Sequence, residues 1–218
     1  LCEWLSGDLF QPPDASLRLI FAIIQAIVAH LYMAWIHPYG DGNGRTARLL
    51  EFRILIASGV PAPAAHLLSN HYNKTRTEYY RRLDRTSRSE GDIIPFLKYA
   101  IDGFLDGLKE QLAFIREQQW DVTWRNYVHE RFGGIKNTSD QRRRDLVLDL
   151  SRRTEWIPRN QLTDLSTRIA KAYVHKTEKT LSRDLNVLLE MDLIVRSDRG
   201  YQANKRLILA FLPPVASE

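Results

Sequence analysis

From Leu19 to Ile36 the chain runs for 18 residues without a charge, a glycine or a proline. Gln25 and His30 are the only strongly polar interruptions. A helix that is apolar nearly all round must be covered, by protein or by lipid. Eighteen positions touch the lower limit for a membrane span. Gln25 and His30 lie near the centre, and a polar run follows directly, so Ser16 to Ile36 reads as a core helix with no membrane contact expected. Pro38 ends it at or just before His37. The rest of this half must then pack around it.

The next twelve residues, His37 to Arg48, read His-Pro-Tyr-Gly-Asp-Gly-Asn-Gly-Arg-Thr-Ala-Arg. Each has an ordinary structural reading alone, as a helix end, a turn or a solvated surface. Together they supply a base, a metal ligand, an anion cradle and a cationic clamp. Arg45 to Ser58 predicts the next helix, stopped by Gly59, Pro61 and Pro63. The glycine loop then sits at a helix start, where free N–H groups favour an anion. Gly42 and Gly44 allow positive φ and let the backbone approach a phosphate. Asn43 can donate its amide to a developing negative charge. Arg45 and Arg48, three apart, share a helix face and can hold successive phosphates. Asp41 is a hard oxygen ligand suited to Mg²⁺ that keeps its other contacts to phosphate and water. The His37 imidazole can accept a hydroxyl proton. No Walker-type glycine-lysine loop occurs, and no Gly-x-Gly-x-x-Gly follows a strand.

This run resembles the signature of Fic (filamentation induced by cyclic AMP) domains, His-Pro-Phe-x-Asp/Glu-Gly-Asn-Gly-Arg-x-x-Arg, with Tyr39 in place of the usual phenylalanine. The resemblance implies a mainly α fold, a Fic-type helical bundle. It also implies transfer of AMP from ATP to a Ser, Thr or Tyr hydroxyl of a target protein. By that likeness His37 deprotonates the hydroxyl and Asp41 holds Mg²⁺. Gly42, Asn43 and Gly44 form the anion hole, and Arg45 to Arg48, with Thr46 and Ala47 between, bind the nucleotide. Kinase-like relatives carry lysine in place of Gly44. Arg76 to Leu83 is similar to a later family segment whose tyrosine pair flanks the base, which makes Tyr79 and Tyr80 candidate adenine contacts. Core packing explains either tyrosine equally well. A DNA-binding transcriptional regulator whose Fic half senses ATP, other donors such as UTP or CDP-choline, and removal of AMP remain alternatives.

A second module begins after about residue 120. Ile94 opens a helix expected to run towards Gln118, and Trp120 to Thr138 reads as a linking helix ended by Gly133-Gly134. Asp140 to Arg153, Asn160 to Tyr173 (split near Ser166) and Thr177 to Met191 predict three more helices. Leu193 to Val195 and Tyr201 to Ala203 flank a hairpin turn at Asp198-Arg199-Gly200, and Leu207 to Leu212 suits a last short helix. This order resembles a winged helix-turn-helix, a small α+β domain that many Fic proteins carry. The expected division is 1–118 catalytic, 119–138 linking and 139–218 winged helix. Residues 1–120 hold 13 basic and 13 acidic side chains, and residues 121–218 hold 18 against 13, which supplies the whole net charge of +5. Lys176, Lys179, Arg183, Arg196 and Arg199 could meet DNA phosphates, although such modules also contact proteins or form homodimers.

A single cysteine, Cys2, supports no internal disulfide and fits a reducing compartment, so the expected location is cytoplasmic. Leu1 to Asp14 lacks the basic start of a signal peptide. Fic enzymes resemble one another in being restrained by a Ser/Thr-x-x-x-Glu-Gly/Asn helix. Thr86 to Gly91 matches that pattern formally but lies in a loop. The inhibitory helix and the target-aligning flap are expected before Leu1.

Overall fold

A computed structural model describes residues 1–134 and 137–211. The chain is mainly α-helical with one two-stranded sheet, and it divides into two compact units, Leu1–Ala113 and Phe114–Glu218.

The first unit is built on α2, Arg18–Ile36, which follows the short α1, Cys2–Leu5. Ala15–Ile36 is long and apolar enough to cross a membrane by length and composition. Here one face of it is core: Ala26, Ile27, Ala29, His30 and Leu31 are fully excluded from solvent. Burying Ile27 and Leu31 contributes about 1.5–3 kcal/mol each. Its main partner is α3, Asn43–Ala57, with α4 (Ala62–Ala65), α5 (Leu67–Lys74) and α6 (Arg76–Ser87) following. Leu55, Leu68, Tyr72, Tyr79 and Phe96 complete this core. The breakers act where expected: α2 stops before His37-Pro38, and α3 stops before Gly59, whose φ is 92°. α3 begins at Asn43, two residues before the expected start, because Gly42 turns the chain and Thr46 N–H already bonds the Gly42 carbonyl at 2.9 Å.

The helix α7 is continuous over Ile94–Arg131. The break expected near residue 118 is absent: no glycine or proline lies between Gly107 and Gly133, so nothing interrupts the helix. Trp124 and Val128 are fully buried in the core of the second unit, with Trp120, Tyr127 and Phe132 packed beside them. The expected link is therefore core.

In the second unit Asn137 caps α8 (Thr138–Leu150), its side chain accepting from Asp140 N–H. A 3-10 turn over Arg159–Asp164 precedes α9, Thr167–Tyr173, and Ser166 caps α9 at the expected split. The helix α10, Glu178–Glu190, buries Leu181, Leu185 and Leu188 on one face. The hairpin pairs β1 (Ile194–Ser197) with β2 (Gly200–Ala203) in antiparallel register, Ser197 opposite Gly200. A final 3-10 helix covers Lys205–Phe211; Leu212, the expected end of that helix, lies outside the described residues. Asp184, 1% exposed, accepts from Arg142 Nε and Arg143 Nε at 2.7 Å and from the Tyr173 hydroxyl at 2.9 Å. It ties α10 to α8 and α9.

Candidate active site

His37 is the C-cap of α2 and sits in the left-handed region at φ 46°, ψ 52°. Glycine usually fills that position, and a side chain there costs roughly 1–2 kcal/mol. Such strain is held where the surroundings fix it: the His37 N–H bonds the Met33 carbonyl at 3.2 Å, and Pro38 blocks further helix. The ring is exposed, with Nδ1 3.3 Å from the Ala34 carbonyl. A carbonyl only accepts, so a neutral ring carries its proton on Nδ1 and presents Nε2 as the base.

The loop that follows is pinned by Asn43. Its Oδ1 accepts from Tyr39 N–H at 2.9 Å and its Nδ2 donates to the Tyr39 carbonyl at 2.5 Å. The side chain is 3% exposed. This corrects the expectation that the amide is aimed at a developing charge: Asn43 closes the Tyr39–Asn43 loop and thereby aims the backbone at the start of α3. Tyr39 takes part through its backbone while its ring is half exposed, which makes the exchange of phenylalanine for tyrosine indifferent to packing. Asn43→Ala should cost about 1–3 kcal/mol, since it leaves both Tyr39 backbone groups without their partner. Thermal denaturation reads this loss, and an unchanged melting temperature would contradict the clamp.

The two glycines differ from each other. Gly42 has φ 90°, as expected. Gly44 does not: it lies in the first turn of α3 with helical backbone, and an added Cβ would stand in ordinary contact, 3.5 Å, with the Arg48 guanidinium. Asp41 Oδ1 accepts from Gly42 N–H, and Oδ2 accepts from Arg45 at 2.7 Å in a pair whose side chains are 90% and 73% exposed. An ion pair so exposed is worth at most about 1 kcal/mol and yields readily to a phosphate or a cation. Thr46 Oγ1 donates to the Gly42 carbonyl, and Ala47 is fully buried, so it offers a ligand backbone only. Arg48 is half-buried and forms no ion pair among the described residues. The structure thus brings His37, Asp41 and the loop to the head of α3.

The tyrosine pair separates. Tyr80 is exposed, with the Arg76 guanidinium 5.8 Å from its ring centre. Tyr79 is buried, and its hydroxyl lies 2.9 Å from His30 Nε2. Thr86 is buried at the end of α6, and Glu90 follows in an exposed turn at φ 53°. The formal inhibitory pattern is therefore not helical at its glutamate.

Residues 2–55 match the family model described as Fic/DOC family. Over that stretch the chain is similar to the Fic/DOC family. Its relatives include the protein adenylyltransferase fic-1 of Caenorhabditis elegans, 36% identical over 99 residues, or 45% of this chain and 16% of that protein. The protein adenylyltransferase Fic of Nematostella vectensis is 38% identical over 97 residues, 44% of this chain and 19% of the relative. That of Culex quinquefasciatus is 36% identical over 84 residues, 38% and 15% respectively. The chain spans less than a fifth of the length of these curated relatives. No solved structure matches it. The matched Fic segment contains every residue from His37 to Arg48 and also His30 and Glu51, which the motif reading passed over. For His30 a signal was present, a polar residue near the centre of the apolar run Leu19 to Ile36; Glu51, between Arg48 and Arg53, reads as ordinary helix surface.

Proposed function

We propose that the Fic domain transfers AMP from ATP to a Ser, Thr or Tyr hydroxyl of a target protein, in the cytoplasm and with Mg²⁺. The observation that carries this reading is His37, with Nε2 free as a base beside an anion-binding helix start. The names of the relatives support it. The hydroxyl oxygen attacks the α-phosphorus of ATP as His37 Nε2 takes its proton. The new O–P bond forms, the bond from the α-phosphorus to the bridging oxygen breaks, and pyrophosphate leaves with the electron pair. N–H groups at the start of α3 stabilise charge on the α-phosphate, and Arg45 and Arg48 hold the outer phosphates.

Asp41 suits a metal that arrives on the nucleotide. No three His, Cys, Asp or Glu side chains converge among the described residues, so the remaining ligands would come from phosphate and water, as is usual for Mg²⁺. Bound there, the ion would neutralise charge on the leaving pyrophosphate.

ATP labelled at the α-phosphate should label protein in a mixture of acceptors, whereas ATP labelled at the γ-phosphate should not. Labelling from the γ-phosphate alone would mean phosphoryl transfer, and transfer from UTP or CDP-choline but not ATP would move the site to another donor class.

We also read the second unit as a winged helix-turn-helix that contacts duplex DNA, because Lys176, Lys179, Arg183, Arg196 and Arg199 are all exposed on α10, its approach and the hairpin. The full chain should shift duplex DNA with an affinity that falls steeply with salt, and the double variant Lys179→Glu, Arg183→Glu should weaken binding about tenfold or more. No shift near physiological salt would leave the unit a protein contact.

A further inference from the structure

The second unit contains a cleft that neither the transfer reaction nor the DNA contact uses. All of its lining residues belong to Phe114–Glu218. Its volume is about 550 Å³, within the roughly 300–1,000 Å³ usual for small-molecule sites. The cross-strand pair Val195 and Gln202 forms its floor. The indoles of Trp120, on α7, and Trp156, in the loop after α8, also line it, and Arg153 and Arg206 stand exposed at its edge. No acidic side chain lines it among the described residues.

The cleft is formed before any ligand arrives. Ile157 and Tyr201 exchange two backbone hydrogen bonds of 2.9 Å, which lay the loop of Trp156 along the hairpin. Gly200 makes that approach possible, because a Cβ there would stand 2.2 Å from the Ile157 carbonyl oxygen. The Gln202 amide donates to the Thr154 carbonyl at 2.6 Å, and the Trp120 indole N–H donates to the Lys205 carbonyl at 3.3 Å. Walls fixed in this way spare a ligand much of the cost of ordering them.

Trp156 has no evident structural task. It is half-buried, yet it belongs neither to the core of the unit nor to the apolar side chains packed against that core. A large rigid indole in that position suits stacking on a flat ligand. The neighbouring cations Arg152 and Lys205 are paired with Asp149 and Asp121. Arg153 and Arg206 form no ion pair among the described residues, so their guanidinium groups are open to an anion. A bare inorganic anion would leave Val195 and the indoles uncovered, and an uncharged ring would leave both arginines unused. We propose that the cleft binds a small planar aromatic anion, with its ring against Trp156 and its carboxylate or phosphate held by Arg153 and Arg206. The inference concerns the second unit alone and stands whether or not the first unit transfers AMP.

Calorimetric titration of the full chain tests it with three probes: indole-3-acetate, its neutral amide, and acetate. Indole-3-acetate should bind at one site per chain with Kd below about 1 mM, about five- to tenfold tighter than the amide, and acetate should give no binding in that range. The double variant Arg153→Gln, Arg206→Gln should bring indole-3-acetate down to the affinity of the amide and leave the amide unchanged. Trp156→Leu should weaken acid and amide alike, by about tenfold. No saturable binding of indole-3-acetate would overturn the proposal. So would equal affinity for acid and amide, or a preference for the acid that survives in the double variant. Melting temperatures identify a variant that fails to fold; the exposed arginine pair then decides the matter.

Discussion

His37→Ala is expected to lower transfer of AMP by about 10²–10⁴-fold while Mg·ATP binding stays within about twofold of the unaltered chain. The split follows from position. His37 lies outside the Gly42–Arg48 cradle, at the end of a different helix, and donates nothing to a phosphate with its free Nε2. Its removal therefore subtracts proton transfer without subtracting anion binding. It also relieves little strain, because alanine in the left-handed region carries nearly the same backbone penalty as histidine. A variant that lost ATP binding and transfer together would place His37 among the nucleotide ligands, and one that kept transfer within about tenfold would remove it as the base.

The second large effect is expected far from the chemistry. Asp184→Ala should destabilise the second unit by about 3–5 kcal/mol, because it leaves Arg142 and Arg143 charged and partly buried with no shared acceptor and strips the Tyr173 hydroxyl of its partner. Replacing the whole set with apolar residues should cost far less, since the penalty lies in the orphaned charges and not in the loss of attraction. Hydrogen exchange followed peptide by peptide separates the units: α8 and α10 should lose protection while α2 and α3 keep theirs. A loss below about 1 kcal/mol would show that solvent reaches the two arginines. α10 carries Lys179 and Arg183, so any DNA contact of this unit depends on the same buried aspartate.

Much of this was legible before any coordinates. Pro38 and Gly59 bounded the first two helices because a missing N–H and a positive φ act locally, whatever the tertiary context. Ser166 marked the split in the predicted helix Asn160 to Tyr173 for a similar reason, since a capping hydroxyl is a local signal. The motif is expected to straddle a loop and the head of a helix, and it does so, with Asn43 to Arg48 already in the first turns of α3. What the sequence hid were the partners. Asn43 has the donors of an anion hole, but its distance to Tyr39, four residues back, lets it close a loop instead, and only the turn at Gly42 decides between these. Gly44 was assigned the freedom of Gly42, although one residue further on the chain is already helical. Tyr79 and Tyr80 are adjacent in sequence, and neighbours on a helix point about 100° apart, so one enters the core and the other meets solvent. The residue pattern alone could not say which. No break occurs near residue 118 for the opposite reason: no glycine or proline stands between Gly107 and Gly133, so α7 runs through it.

The chemical identity of the group added to a target is the measurement closest to the central claim. A protein labelled by the full chain with ATP and Mg²⁺ should be digested and its modified peptide fragmented in a mass spectrometer. The expected result is one adenylyl group in ester linkage to a Ser, Thr or Tyr oxygen, with one pyrophosphate released for each group transferred, and neither product with His37→Ala. A phosphoryl group in its place, or an adenylyl group that forms equally well without His37, would contradict it.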